Sequence, residues 1–201
     1  MEKTNATTWR VLGALIRIRF TDPAEIPCTA DYLTSACNQH DSHAISAPID
    51  KPEVHQALAE LIKLGLVQVE ETMGTFRYGE LAASRFQLAP PEHALFGVLL
   101  LNPPLTAAKL LQESYRLYPF RDETQITDSI SRLEEGARVS LARHWPPNDL
   151  GEPRYTHAHY EPATTRGTAA PPPHPEDELN QKLAELEQLV DAIAPPPDRG
   201  H

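Results

Sequence analysis

Asp50-Lys51-Pro52-Glu53-Val54-His55-Gln56-Ala57-Leu58-Ala59-Glu60-Leu61-Ile62-Lys63-Leu64-Gly65-Leu66-Val67-Gln68-Val69 spells out a helix, both its ends and the strand that follows. Asp50 and Glu53 stand at the spacing in which each side chain satisfies the other's unpaired backbone N–H. Pro52 falls in the first turn, where its missing N–H costs nothing. Val54, Leu58, Leu61 and Leu64 recur every three or four residues, which makes one face apolar. Gly65 supplies a left-handed stop. Leu66 to Val69 reads as a strand, and Thr72-Met73-Gly74-Thr75 as the turn into a second one.

Upstream, Thr8 is expected to cap a helix to about Phe20, with Val11, Leu12, Leu15 and Ile18 on one stripe and Thr21-Asp22-Pro23 at its end. Thr29 caps a short helix through Ala36 to Asn38 that buries Leu33 and Cys37, and a polar loop from His40 to Pro48 follows. Downstream the same order returns. A helix around His93 to Leu101 stops at Asn102-Pro103-Pro104, Thr106 caps the next to about Leu117, and Asp122 or Thr124 opens a third. That third helix turns Ile126, Ile130 and Leu133 inward and ends at Gly136. Residues 138–143 and 153–159 then read as strands, joined by the stiff stretch Trp145 to Gly151.

Three helices closed by a β-ribbon, twice over, is the pattern of a repeated winged helix. The expected fold is therefore mainly α with small β-wings (α+β): tandem winged-helix domains over 1–89 and 90–160, each with its own hydrophobic centre. Residues 161–175 are rich in Pro, Thr and Ala and read as a linker. Over 176–194, Leu179, Leu183, Leu186, Val190 and Ile193 step by four and three as a coiled-coil seam, and 195–201 is expected to be a disordered tail. Two heptads alone are marginal, so this helix needs a partner, such as a second copy in a homodimer, or a docking site.

The chain has 201 residues, a net charge of −10 and two cysteines. Its longest apolar run, Ala94 to Leu101, is too short to span a bilayer. Met1 to Asn5 leads into an arginine-punctuated helix without the apolar core of a leader, and a cytoplasmic protein with no membrane partner is expected. Cys28 and Cys37 do not form a disulfide framework. The acidic balance opposes phosphate binding, whose affinity comes from Lys and Arg displacing counterions. Half of the excess lies beyond residue 160, and neither expected domain is basic.

Several strings in order and register resemble the YceH family of bacterial proteins. They are Thr21 to Pro27, Leu33-Thr34-Ser35-Ala36-Cys37-Asn38-Gln39, Ala57-Leu58 with Gly65-Leu66-Val67, Tyr118-Pro119-Phe120 and Glu152-Pro153-Arg154-Tyr155. The resemblance covers roughly residues 8–160. It implies two winged-helix domains and a regulatory, DNA-binding role. The chain departs from the pattern where the family is basic. His40 and His43 replace fixed positive charges, Gly79-Glu80-Leu81-Ala82-Ala83 stands where a basic strand is typical, and Asn148-Asp149-Leu150 where arginines are common.

If DNA is bound, the third helix of the first domain offers Lys51, Gln56 and Lys63, with Arg77 and Arg85 by its wing, and the second wing offers Arg143 and Arg154. Trp145 between guanidiniums can stack on a base, anchor a protein, or fold back beside Pro146 and Pro147. The second domain's third helix exposes Glu123, Asp128, Glu134 and Glu135 and should repel a duplex. That surface favours the alternative to a DNA-binding regulator, an adaptor whose winged helices have lost nucleic-acid contact and recognise a protein. Cys37, His40 and His43 have donor spacing around a turn but lack a fourth ligand, so no metal site is assigned. His157 and His159 are expected on a solvent-facing strand face. No phosphate loop, nucleophile elbow, dinucleotide fingerprint or zincin motif occurs, so neither enzymatic activity nor a cofactor is expected.

Overall fold

Four helix starts are closed by the side chains that the sequence marks for the purpose. Thr29 accepts from Tyr32 N at 3.3 Å, Asp50 and Glu53 exchange bonds of 2.8 and 2.9 Å, Thr106 accepts from Lys109 N at 3.4 Å and Asp122 from Gln125 N at 2.9 Å. They open α2 (Ala30–Asn38), α3 (Lys51–Lys63), α6 (Ala107–Ser114) and α7 (Glu123–Glu135). The structure is a computed structural model that describes residues 6–39, 48–136 and 139–162. The heptad-bearing segment, most of the linker and the tail lie outside those residues, as do His40, Asp41 and His43.

The remaining helices are α1 (Ala6–Thr21), α4 (Ala82–Phe86) and α5 (Pro90–Leu101). The strands are β1 (Val67–Thr72), β2 (Thr75–Glu80), β3 (Leu105–Thr106), β4 (Ala142–Trp145) and β5 (Arg154–His157). β1 and β2 form an antiparallel hairpin in which Val67 faces Glu80 and Thr72 faces Thr75. Its two-residue turn, Met73 at φ 50° and Gly74 at φ 75°, has the left-handed backbone that matches strand twist. On its other edge β2 exchanges two bonds with Cys28, of 3.0 and 2.8 Å. The second sheet runs β3-β5-β4, all antiparallel. Among the described residues the chain is thus a mixed protein of seven α-helices and two small antiparallel sheets. None of those helices is long and apolar enough to cross a membrane.

Two expectations change, and one helix is added. Thr8 is not a cap, because α1 begins at Ala6; its buried hydroxyl donates instead to Glu60 Oε2 on α3 at 2.6 Å. Leu64, assigned to the inner face of α3, is 43% exposed at the helix end. After β2 the chain turns into α4, started by Glu80 Oε2 accepting from Ala82 N at 2.7 Å.

Nor are there two separate hydrophobic centres. One continuous apolar cluster runs from Trp9 on α1 to Tyr155 on β5, and the chain up to Glu161 forms one compact unit. α5 is the reason: every residue from His93 to Leu101 is buried, so this helix has no solvent face. It packs mainly on α1, at a crossing made close by glycine. A methyl added at Gly97 would lie 2.7 Å from Ile16 Cγ2, and one at Gly13 would lie 2.9 Å from Leu100 Cβ.

Side chains close the rest of the frame. Arg10 and Arg17 of α1 donate to Cys37 O at 2.9 Å and Ala36 O at 2.6 Å, satisfying carbonyls at the end of α2. Asn38 holds Ile49 at both backbone groups, 2.9 Å each, and so joins the two ends of the 40–47 segment.

In an exposed helix Gly→Ala gains about 1 kcal/mol. Gly97→Ala should instead lose roughly 1–3 kcal/mol, because the methyl meets a stiff β-branched side chain. Urea unfolding checks this: a midpoint equal to or above that of the parent protein would show that the crossing opens cheaply.

Candidate functional site

The eight residues singled out for contact differ widely in how free they are. On α3, Lys51 pairs with Asp31 at 2.6 Å, while Gln56 and Lys63 are exposed. Gln56 edges a shallow polar cleft between α1 and α3 together with Thr7, Thr8, Glu53, Ala57 and Glu60. Two carboxylates therefore flank the one side chain suited to reading a base. Arg77 turns from solvent to donate to Pro27 O at 3.2 Å, and Arg85 is exposed on α4.

On the second hairpin both arginines bond carbonyls of their own chain at the surface. Arg154 donates to Pro146 O at 2.8 Å and Pro147 O at 3.4 Å, fastening the loop to its own base. Arg143 donates to Tyr160 O, and its guanidinium lies 5.2 Å from the centre of the Trp145 ring. Trp145 also meets Tyr160 edge-on at 5.1 Å, so it folds back onto its own half of the chain.

The loop beyond is ordered by one side chain. Asn148 Oδ1 accepts from Leu150 N and Glu152 N at 3.1 and 2.9 Å, and its Nδ2 donates to Glu152 Oε2 at 2.7 Å. Leu150 stands at the apex, 83% exposed. The first hairpin also ends in an apolar residue, Met73, fully exposed. Neither residue was among the sequence-derived candidates. The signal was an apolar side chain inside a turn of otherwise polar residues.

Buried ionisable groups serve the frame. Glu80, at the end of β2, contacts Arg19 of α1 and lies 3.4 Å from His93 Nε2 of α5. Burial alone would raise its carboxyl pKa. The His93 imidazole, the Arg19 guanidinium and the Ala82 N–H together outweigh burial and hold it below the usual carboxylate value. Burial pushes both thiols, Cys28 and Cys37, up to about 11, which leaves them unreactive at neutral pH. Among the described residues no group of three or more His, Cys, Asp or Glu is placed to hold a metal.

His157 and His159 do not share a solvent face. His157 is buried at the end of β5, and His159 lies past the strand with its ring stacked on Trp9 at 4.6 Å. Burial, then the charges of His159 and Arg143, lower the His157 pKa to about 4. Its Nδ1 has no hydrogen-bond partner among the described residues, so a proton there would go unsatisfied.

With this geometry in place, comparison supplies the relatives. Residues 4–146 match the family described as "Protein of unknown function, DUF480". A UPF0502 protein of Pseudomonas syringae pv. tomato is 31% identical over 202 residues, spanning 92% of this chain and 90% of its own length. One of Mesorhizobium japonicum is 32% identical over 188 residues, again 92% and 90%, and one of Geotalea uraniireducens is 30% identical over 190 residues, 92% and 87%. These matches bear out the resemblance read from the sequence strings.

The depressed His157 pKa fixes a sign. The unfolded chain takes up the proton near the ordinary value of 6.5 and the folded chain only near 4, so stability is full above 6.5 and falls as the pH drops between the two. The loss approaches about 3 kcal/mol at the acid end. Glu80 adds to it at still lower pH, as its carboxylate is neutralised. Urea midpoints at pH 7.5 and 4.5 should differ in that direction, and His157→Gln should flatten the difference; an unchanged pH dependence in the variant would remove His157 as the cause.

Proposed function

The chain belongs to the DUF480 family, and from that premise we propose that it is a non-enzymatic tandem winged-helix adaptor that recognises a protein partner through its second wing. The topology supports the fold reading. In each half three helices precede a hairpin, and the second strand of the hairpin also pairs with the segment between the first two helices: Cys28 beside β2, and β3 beside β5. A winged helix orders its strands in this way.

One observation carries the choice of a protein partner. Leu150 is 83% exposed on a loop that Asn148 and Arg154 hold in shape, while Arg143 and Arg154 donate to carbonyls of their own chain and Asp149 and Glu152 flank its tip. A preformed apolar apex in an acidic setting suits a desolvated protein pocket and is repelled by phosphate. The heptad segment near the C-terminus would add a second copy of the chain to the assembly.

A second reading, regulatory binding of duplex DNA, rests on Gln56 and Lys63, exposed on α3, with Arg85 exposed on α4. Titration with mixed-sequence duplex at low salt separates the two, since electrostatic binding is strongest there. The adaptor reading expects no salt-sensitive complex, and expects Leu150→Ser to weaken partner binding about tenfold with the folded stability intact. A duplex complex that weakens with salt and with Lys63→Ala or Arg85→Ala would replace the adaptor with a regulator.

A further inference from the structure

The first hairpin is asymmetric. β2 is covered on its outer edge by Cys28, whereas among the described residues no strand lies beside the outer edge of β1. Open edges are normally guarded by brevity, proline or lysine. The edge strand of the other sheet, β4, is four residues long, carries Arg143 and runs straight into Pro146-Pro147. β1 has six residues, Val67-Gln68-Val69-Glu70-Glu71-Thr72, with no proline or lysine, and its only charges are the carboxylates of Glu70 and Glu71.

Its faces are also distinct. Side chains alternate along a strand, so Val67, Val69 and Glu71 share one face with their partners Glu80, Tyr78 and Phe76. That face begins in the core at Val67, Tyr78 and Glu80 and runs outward into Val69, 45% exposed, and Phe76, 55% exposed. On the opposite face Glu70 stands across from Arg77, whose guanidinium is turned to Pro27 O, and accepts from Gln68 Nε2 at 3.2 Å.

We propose that the open edge of β1 receives an extended polypeptide strand with alternating apolar and basic side chains, which adds a third strand to this sheet. An apolar residue of the incoming strand would pack beside Val69, and Lys or Arg residues would lie beside Glu70. Main-chain pairing supplies affinity and the alternation supplies choice. The charge argument selects the occupant. A second copy pairing antiparallel through the same edge would bring Glu70 and Glu71 of both chains into one short ladder, where like charges oppose pairing, and an acidic strand offers nothing to nucleic acid. This deepens the protein-recognition reading, on a hairpin other than the one that bears Leu150.

The test uses the full chain and two synthetic peptides, one of alternating Val and Lys and one of alternating Val and Glu. Binding is followed by fluorescence anisotropy, and its position by amide hydrogen exchange. The Val/Lys peptide should bind and slow exchange within residues 67–72, and the Val/Glu peptide should not. Glu70→Lys, a surface change, should weaken the Val/Lys peptide about fivefold and improve the Val/Glu peptide. Val69→Ser should weaken the Val/Lys peptide. Indifference to Glu70→Lys, or protection confined to other segments, overturns the proposal. Leu150→Ser should leave peptide binding unchanged: if the β1 results fail while partner binding still depends on Leu150, only this docking mode falls, and if Leu150 proves irrelevant while β1 binds, the second wing is removed instead.

Discussion

The approach of α5 to α1 through Gly13 and Gly97 is the constraint on which the remainder depends. Each glycine lets the opposite helix come close enough for Ile16, Leu100 and Leu101 to fill the seam. Because α1 belongs to the first half and α5 to the second, the crossing merges two units that would each have buried only a modest core. The Arg19–Glu80–His93 contacts tie the first hairpin to the same seam, which sets its exit from the body.

The local devices of the fold were legible because each acts over three or four residues. The Thr29, Asp50, Thr106 and Asp122 caps, the Gly65 stop and the Met73-Gly74 turn all stand where spacing predicts. What the sequence did not make plain is tertiary. Thr8 looks like a cap because hydroxyls generally serve that role, yet its partner, Glu60, is far along the chain. The joined core had a signal in the unbroken apolar run Ala94 to Leu101. Its length excluded a membrane span, while its lack of a polar face already implied burial on every side. The candidate contact residues were recognised by type, and type does not report that Arg77, Arg143 and Arg154 meet carbonyls of their own chain.

The strings that mark the family turn out to be architectural. In Ala36-Cys37-Asn38-Gln39, Cys37 packs in the core and Asn38 grips Ile49. In Glu152-Pro153-Arg154-Tyr155, Glu152 completes the Asn148 turn, Arg154 fastens the loop and Tyr155 is buried. Their chemistry is that of holding shape. It leaves the exposed tips, Met73 and Leu150, and the β1 edge as the surfaces not used in holding that shape.

The helix without a polar side also bears on how the molecule is made. During synthesis α1 leaves the ribosome well before α5, and until α5 arrives the seam around Ile16 has nothing to close against. The first half is thus born incomplete, an apolar stripe open to chaperones, and gains its final form only when the second half has been translated. A chain ending after the first hairpin would leave the side of α1 that packs on α5 facing water.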